Sequence, residues 1–538
     1  MMLRRSGLVR AVMLIAILST VARADEAPAT AATTAPTPPA SPAAFVPPAL
    51  VHHSVSTTIP KAQQAFDEGL TLVYAFNRDE ARSRFERAAA LDPKLAIAWW
   101  GVALAVGPNI NFGIDADRLE SARAALVRAR ALEDLASPEE RALIEALALR
   151  YPPDAKAATG PGYRAYRDAM RAVHATYPAD DDAATLYAES VMDVDGWSWT
   201  KSVPNASGRE IRRTLETVLA RDSGHIGANH YYLHLVDAVG VAKLGLPSAD
   251  RLSALTVEPA ASHLMHMPGH IYLDVGRFAD LERDNRIAVD DDRSYATTLG
   301  KNPTDLDYYR HNLNFYMGGA VMLDDRLEED RAVGFSREIG GSDAKLAALR
   351  DGRFTDVLAT PLPAASASTY TIAIARYARS IALASRGDAD GAQRELDAYE
   401  AAVRSHARRG SDFAYYFDAL RDLMKARIAH ARGDDDAATA LLRGVLVSTD
   451  PYPPETFPVW YFPVGEWLGW MELHRGKPAA AEAAFRDDLA RTPRNARAIF
   501  GLMASLSHQG RTTDAGPLAY EIVGNWRGPL GDLRVALP

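Results

Sequence analysis

The chain has 538 residues, with 60 Lys and Arg against 69 Asp and Glu, a formal net charge of −9, and no cysteine. A mildly acidic chain without a basic stripe is not built to bind nucleic acid. The missing cysteines exclude disulfides and thiolate metal ligands alike, and the length is enough for a large core or a long solenoid.

The first segment reads as an export signal. Arg4, Arg5 and Arg10 form a basic start, Ala11 to Val21 a short apolar run, and Ala22-Arg23-Ala24 a small-x-small cleavage site. Residues 1–24 are therefore expected to be removed, leaving a periplasmic or secreted protein. The apolar run is too short for a lasting anchor, and no later segment reads as an integral membrane span. Residues 25–49 are mostly Ala, Pro and Thr, a composition that cannot bury a core and predicts a tether.

From there the chain reads as stacked helix pairs. Gly69, Ala81, Phe85, Ala88 and Pro93 fall at positions 8, 20, 24, 27 and 32 of a tetratricopeptide-type repeat, whose period is about 34 residues. Trp99 then opens the next unit, and Gly107-Pro108-Asn109-Ile110-Asn111 is expected to turn the chain at a helix end. At the far end Leu468, Gly469, Gly476, Ala481, Phe485 and Pro493 repeat the pattern, and Gly510 and Ala515 follow 34 residues after Gly476 and Ala481. Gly387 and Gly433 mark further helix turns. Such units cannot bury their apolar faces alone and must stack, which predicts an all-α, TPR-like solenoid, a right-handed superhelix of antiparallel helix pairs. Three blocks are expected: N-terminal repeats over 50–180, histidine-rich repeats over 181–335, and C-terminal repeats over 336–538. Trp197-Ser198-Trp199 and Trp460-Tyr461-Phe462 suit packing between repeats better than a pocket wall.

The chemistry concentrates in the middle block. His230 and His234 are followed 36 residues later by His266 and His270, and seven of the 14 histidines fall between His225 and His311. Each pair has the i, i+4 spacing that places both rings on one helix face. In the repeat frame His263, His266 and His270 take positions 2, 5 and 9 of a first helix, and His230 and His234 positions 5 and 9 one unit earlier. Those positions line the concave groove. Histidine is no consensus residue there, so the pairs are read as ligands to one transition-metal centre of copper, zinc or iron, with His263 and His311 as further candidates. Glu189, at position 9 of an earlier unit, either joins them as ligand or base or serves a cap or a salt bridge; Asp193 lies one turn on. His225 reads as an ordinary hydrogen-bonded histidine. Met265 and Met267 are soft copper ligands or core filler. Pro268 must either start the helix near Met265 or kink it.

The motifs Y-A-F-N-R-D-E-A (74–81), A-W-W-G-V-A-L-A-V-G-P-N-I-N (98–111), L-Y-A-E-S-V-M-D (186–193), H-Y-Y-L-H (230–234) and H-M-P-G-H-I-Y (266–272) together resemble a family of bacterial tetratricopeptide-repeat proteins, often exported. The resemblance spans most of residues 60–525. It implies a helical-repeat fold with a histidine core and carries no settled activity. Asn314 stands where another histidine is expected.

Two function classes follow. In the first, the groove holds a metal, copper slightly ahead for an exported, cysteine-free site beside two methionines, and performs metal-dependent chemistry or metal handling. Metalloprotease chemistry is disfavoured, because Tyr231 and Met267 follow His230 and His266 where H-E-x-x-H needs glutamate. In the second, the protein is a non-catalytic scaffold whose groove binds a peptide, protein or small-molecule partner.

Overall fold

The computed structural model describes residues 50–154, 158, 160–195, 205–238, 240–341, 344–407, 414–449 and 463–534. The expected signal and tether, and both aromatic runs, Trp197–Trp199 and Trp460–Phe462, lie outside them. Among the described residues every regular element is a helix, and the molecule is an all-α, TPR-like solenoid.

The first pair, α1 (Pro60–Tyr74) and α2 (Arg78–Leu91), shows why the repeat residues matter. Pro60 sits in the first turn of α1, where its missing N–H costs nothing, and Asn77 caps α2 by accepting from the Glu80 N–H. A Cβ on Gly69 would lie 2.8 Å from the Phe85 ring, so glycine is what lets the two helices close on that ring. The same fit recurs at the far end, where a Cβ on Gly469 would meet Phe485 at 2.6 Å. Ala81, Phe85, Ala481 and Phe485 are fully buried.

The stack continues through α3 (Ala96–Ala105), α4 (Ala116–Ala131), α5 (Pro138–Arg150), α6 (Gly160–Thr176), α7 (Asp181–Asp195), α8 (Ala206–Arg221) and α9 (Ile226–Ala238). A capping box between Ser137 and Glu140 starts α5. The Gly107–Asn111 segment ends α3 as expected, and Asn109 Oδ1 accepts from the N–H groups of Asn111 and Phe112. Next come α10 (Leu246–Ser253), α11 (Ser262–His266), α12 (Pro268–Val275), α13 (Phe278–Leu299), α14 (Tyr309–Leu323) and α15 (Arg326–Glu338). Pro268 resolves as a kink: α11 stops at His266, Met267 turns, and α12 restarts at the proline. Gly276, Gly387, Gly433, Gly476 and Gly510 all take positive φ at helix ends, the conformation for which glycine carries no Cβ penalty.

Helices neighbouring in sequence pack on each other throughout, but α9 also packs on α1 and on α12. That return contact encloses the middle of the chain. The C-terminal helices come back as well: Arg527 donates to Glu282 and Asp325, and a Cβ on Gly276 would collide with the Pro493 carbonyl oxygen at 2.0 Å.

Candidate metal centre

Helix α9 carries His230 and His234 on one face, and their Nε2 atoms are 3.0 Å apart. His266 and His270 straddle the kink, yet their Nε2 atoms are also 3.0 Å apart. His311, in the first turn of α14, brings its Nε2 to 3.4 Å from that of His270. His263 on α11 lies against the first pair, its ring centroid 5.0 Å from that of His230. The six histidines therefore form two sets, His230 with His234 and His263, and His266 with His270 and His311, within each of which the candidate ligand atoms lie within 4.8 Å of one another. Sequence spacing had joined the two pairs as one four-histidine centre; the fold instead gives each pair a third member. The sets adjoin, since the rings of His263 and His266 are 5.6 Å apart.

Three of the nitrogens that face away from these contacts have partners. His230 Nδ1 is 2.6 Å from the Tyr74 carbonyl oxygen, His266 Nδ1 2.7 Å from Asn285 Oδ1, and His270 Nδ1 3.2 Å from an Asp237 carboxylate oxygen. With Nδ1 protonated toward these acceptors, Nε2 keeps its lone pair for the centre, the arrangement in which outer partners orient metal-ligating histidines. His263 is different: it is buried and neither ring nitrogen has a hydrogen-bond partner. An unpaired buried imidazole costs free energy unless something ligates it.

Burial holds all six rings neutral. It lowers His230 and His270 to about 4 and His311 to about 3. His234, His263 and His266 are also lowered, by burial first and then by neighbouring imidazoles. Asp237, next to His270, is pushed up to about 7 by burial, and Asp274 to about 8 by burial and the Asp237 charge, so the two acids share their charge.

Aromatic rings wall the two sets. Phe76 lies 4.5 Å from His230, 5.4 Å from His263 and 5.9 Å from His234, centroid to centroid. It holds φ 59°, a left-handed conformation costly for a residue with a Cβ, at repeat position 15, where Gly276 and Gly476 stand in other units. Phe315 lies within 4.8 Å of His266, His270 and His311. Tyr308 stacks on His263 at 3.9 Å, and Asn111 donates to its hydroxyl. The turn after α3 is thus part of a cover, and these groove positions are buried rather than open. His311 is the most exposed of the six.

The remaining expectations fall elsewhere. Glu189 joins neither set: it lies with Asp193 beside Arg150, the salt-bridging alternative, and it lines a water-sized cavity of about 20 Å³ on which Phe76 and Tyr231 also border. Burial and the Asp193 charge raise it well above the usual carboxylate range. His225 is an ordinary buried histidine, its Nε2 3.1 Å from Asp182. Met267 belongs to the apolar core and Met265 is buried. Spacing alone missed Asn285, Asp237, Phe76 and Tyr308. Asn285 was open to discovery, because it stands at position 24, where Phe85 and Phe485 stand in regular units.

No family model matches the chain, and no curated protein matches it. Among solved structures it is similar to the APC/C hetero-tetramer Cut9–Hcn1, at 13% identity over 86% of this chain and 75% of that one, with a TM-score of 0.29. It is also similar to Naa15/Naa10 bound to HypK-THB, at 13% identity over 87% of this chain and 70% of that one, with a TM-score of 0.22. Among the described residues no helix is long and apolar enough to cross a membrane.

Proposed function

We propose that this helical-repeat protein is exported and binds a transition metal in its histidine core, for metal-dependent chemistry or metal handling. The observation that carries the reading is His263, buried with both ring nitrogens unpaired beside five other neutral imidazoles. Two nitrogens on one tetrahedral ion at 2.0–2.1 Å are about 3.3–3.4 Å apart, so separations of 3.0–3.4 Å need to change by only a few tenths of an ångström on binding. An all-nitrogen donor set suits copper, zinc or iron, with copper slightly favoured for an exported protein without cysteine.

The test is metal content. Purified protein, stripped and then offered copper, zinc or iron and desalted, should retain metal. His234→Ala and His270→Ala should each lose much of it while keeping wild-type helicity, because most repeats do not touch the site. Wild-type protein that keeps no metal overturns the reading.

A second reading is a scaffold that binds a peptide or protein partner. His230 and His234 lie Nε2 to Nε2 at 3.0 Å, an N–H···N contact that needs no ion, as in a structural core. It predicts that the same substitutions lower helicity and leave no metal to lose.

A further inference from the structure

The regrouping of the histidines bears on how many ions the core takes. Ligand atoms on one ion at about 2.0–2.1 Å can be no more than roughly 4.2 Å apart, even on opposite sides of it. Among the described residues the histidine sets compact enough to approach this limit are the two triads, each within 4.8 Å, and neither includes a nitrogen of the other. The third member of each triad comes from a separate place in the chain, His263 ahead of the kink and His311 from α14. Outer support is divided in the same way. Tyr74 O holds His230 in one triad, and Asn285 and Asp237 hold His266 and His270 in the other. Each triad also has its own aromatic wall, Phe76 for the first and Phe315 for the second.

Charge limits what can occupy two such places. Six neutral imidazoles bring no negative charge, and the charge nearest them is the one Asp237 shares with Asp274 at the edge of His270. Two divalent ions would bring four positive charges into a buried pocket, where uncompensated charge is expensive. Two monovalent ions halve that load, and a hydroxide between two divalent ions removes one of the four charges. Copper is the metal of the candidate group that nitrogen ligands hold in both the +1 and +2 states.

We infer that each triad holds its own ion, so that the centre is a pair of copper ions, one on His230, His234 and His263 and one on His266, His270 and His311, bridged in the divalent state by a small anion such as hydroxide. Three protein nitrogens leave each ion a free position for the anion, and the triads stand side by side, with the rings of His263 and His266 5.6 Å apart. The inference rests on the metal-binding reading above and goes beyond it in number and ligand class.

The full-length chain is titrated with copper(I) against a competing chelator, and bound copper is counted. Two equivalents are expected for wild type and one for either His263→Gln or His311→Gln, with circular dichroism confirming that both variants fold. After oxidation the wild-type copper(II) pair, bridged and magnetically coupled, should give an electron paramagnetic resonance signal accounting for well under half of the bound metal. Each single-ion variant should be fully visible, and added azide should change the wild-type optical spectrum as a bridging ligand. One equivalent in wild type, or two equivalents fully visible and uncoupled, overturns the paired centre and leaves metal binding standing. No retained copper overturns the paired centre, and a chain that retains neither copper, zinc nor iron overturns metal binding with it. If a glutamine variant fails to fold, the wild-type count and signal still decide.

Discussion

Asn285 follows Gly269 at the same 16-residue separation at which Phe85 follows Gly69 and Phe485 follows Gly469. In the regular units that place holds the ring on which the helix pair closes. In the histidine unit it holds an amide whose Oδ1 lies 2.7 Å from His266 Nδ1, and a Cβ on Gly269 would meet the amide nitrogen at 2.4 Å. The repeat has thus exchanged a packing residue for one that orients a candidate ligand.

Asn285→Ala should therefore weaken metal binding about 10- to 100-fold, the usual effect of losing an outer partner of a ligating histidine. Asn285→Asp should bind nearly as well as wild type, since a carboxylate accepts from His266 Nδ1 equally. Competition titration with a chromophoric chelator measures both. Equal losses for Ala and Asp would mean that the amide fills space and orients nothing.

Phe76 offers a separate test on stability. Phe76→Gly and Phe76→Ala both remove the ring from the face of His230, a cavity costing about 3–5 kcal/mol. Only alanine must still adopt φ 59° with a Cβ, at a cost of roughly 1 kcal/mol. The glycine variant should therefore unfold at higher urea concentration than the alanine variant, though both fall below wild type. A tie would show that the backbone relaxes once the ring is gone.

These two residues show where sequence reading succeeds and where it stops. The repeat frame comes from residues whose size is fixed by helix contact, so Gly69, Phe85, Gly469 and Phe485 are legible by spacing. The frame likewise placed His230, His234, His266 and His270 on inward positions. It cannot show which helices meet across the solenoid. The return of α9 onto α1, which brings Phe76 and the Tyr74 carbonyl to His230, joins residues more than 150 positions apart. The kink at Pro268 separates His263 from His270 along the axis, so His263 joins the earlier pair and not its own. Glu189 fits the frame as well as the histidines do, but it faces Arg150 and belongs to neither histidine set.

The lowered imidazoles predict how binding depends on pH. Their folded values lie below the ordinary histidine value, so in the folded apo protein the rings stay neutral as pH falls, down to about 4 for His230 and His270. No proton on these rings has to be displaced by a metal at pH 6 or pH 5. Affinity should stay nearly flat across that interval and fall only as pH approaches 4. Three solvent-exposed histidines would lose roughly two to three orders of magnitude over the same interval, from their ordinary value near 6.5. A loss of that size would place the bound metal at exposed histidines outside this core.

At the N-terminal edge of the solenoid, His53 predicts a pH dependence of stability with the opposite shift. Its Nδ1 is 3.0 Å from Asp182 Oδ2, and Asp182 also accepts from the Tyr74 hydroxyl at 2.7 Å and faces His225. Burial alone would lower His53, but the hydrogen bond and charge of Asp182, with Asp180 behind it, outweigh burial and raise it to about 9. A folded value above the unfolded one means that the folded chain binds the proton more tightly. The contribution is therefore fully present below about 6.5 and is lost as pH rises through 9. A shift of this size is worth at most about 3 kcal/mol, and the lowering of Asp182 reports the same interaction from the other side, so it is counted once. His53→Gln can still donate to Asp182 but cannot titrate. Between pH 6.5 and 9 the wild type should lose stability relative to His53→Gln, read as a convergence of the two urea midpoints as pH rises. The loss should come with loosening of the 50–58 segment, because the His53 N–H also donates to Asp67 and ties that segment to α1. Midpoints that stay a constant distance apart over this range would show that His53 is neutral in the folded protein and that Asp182 is held by His225 and Tyr74 alone.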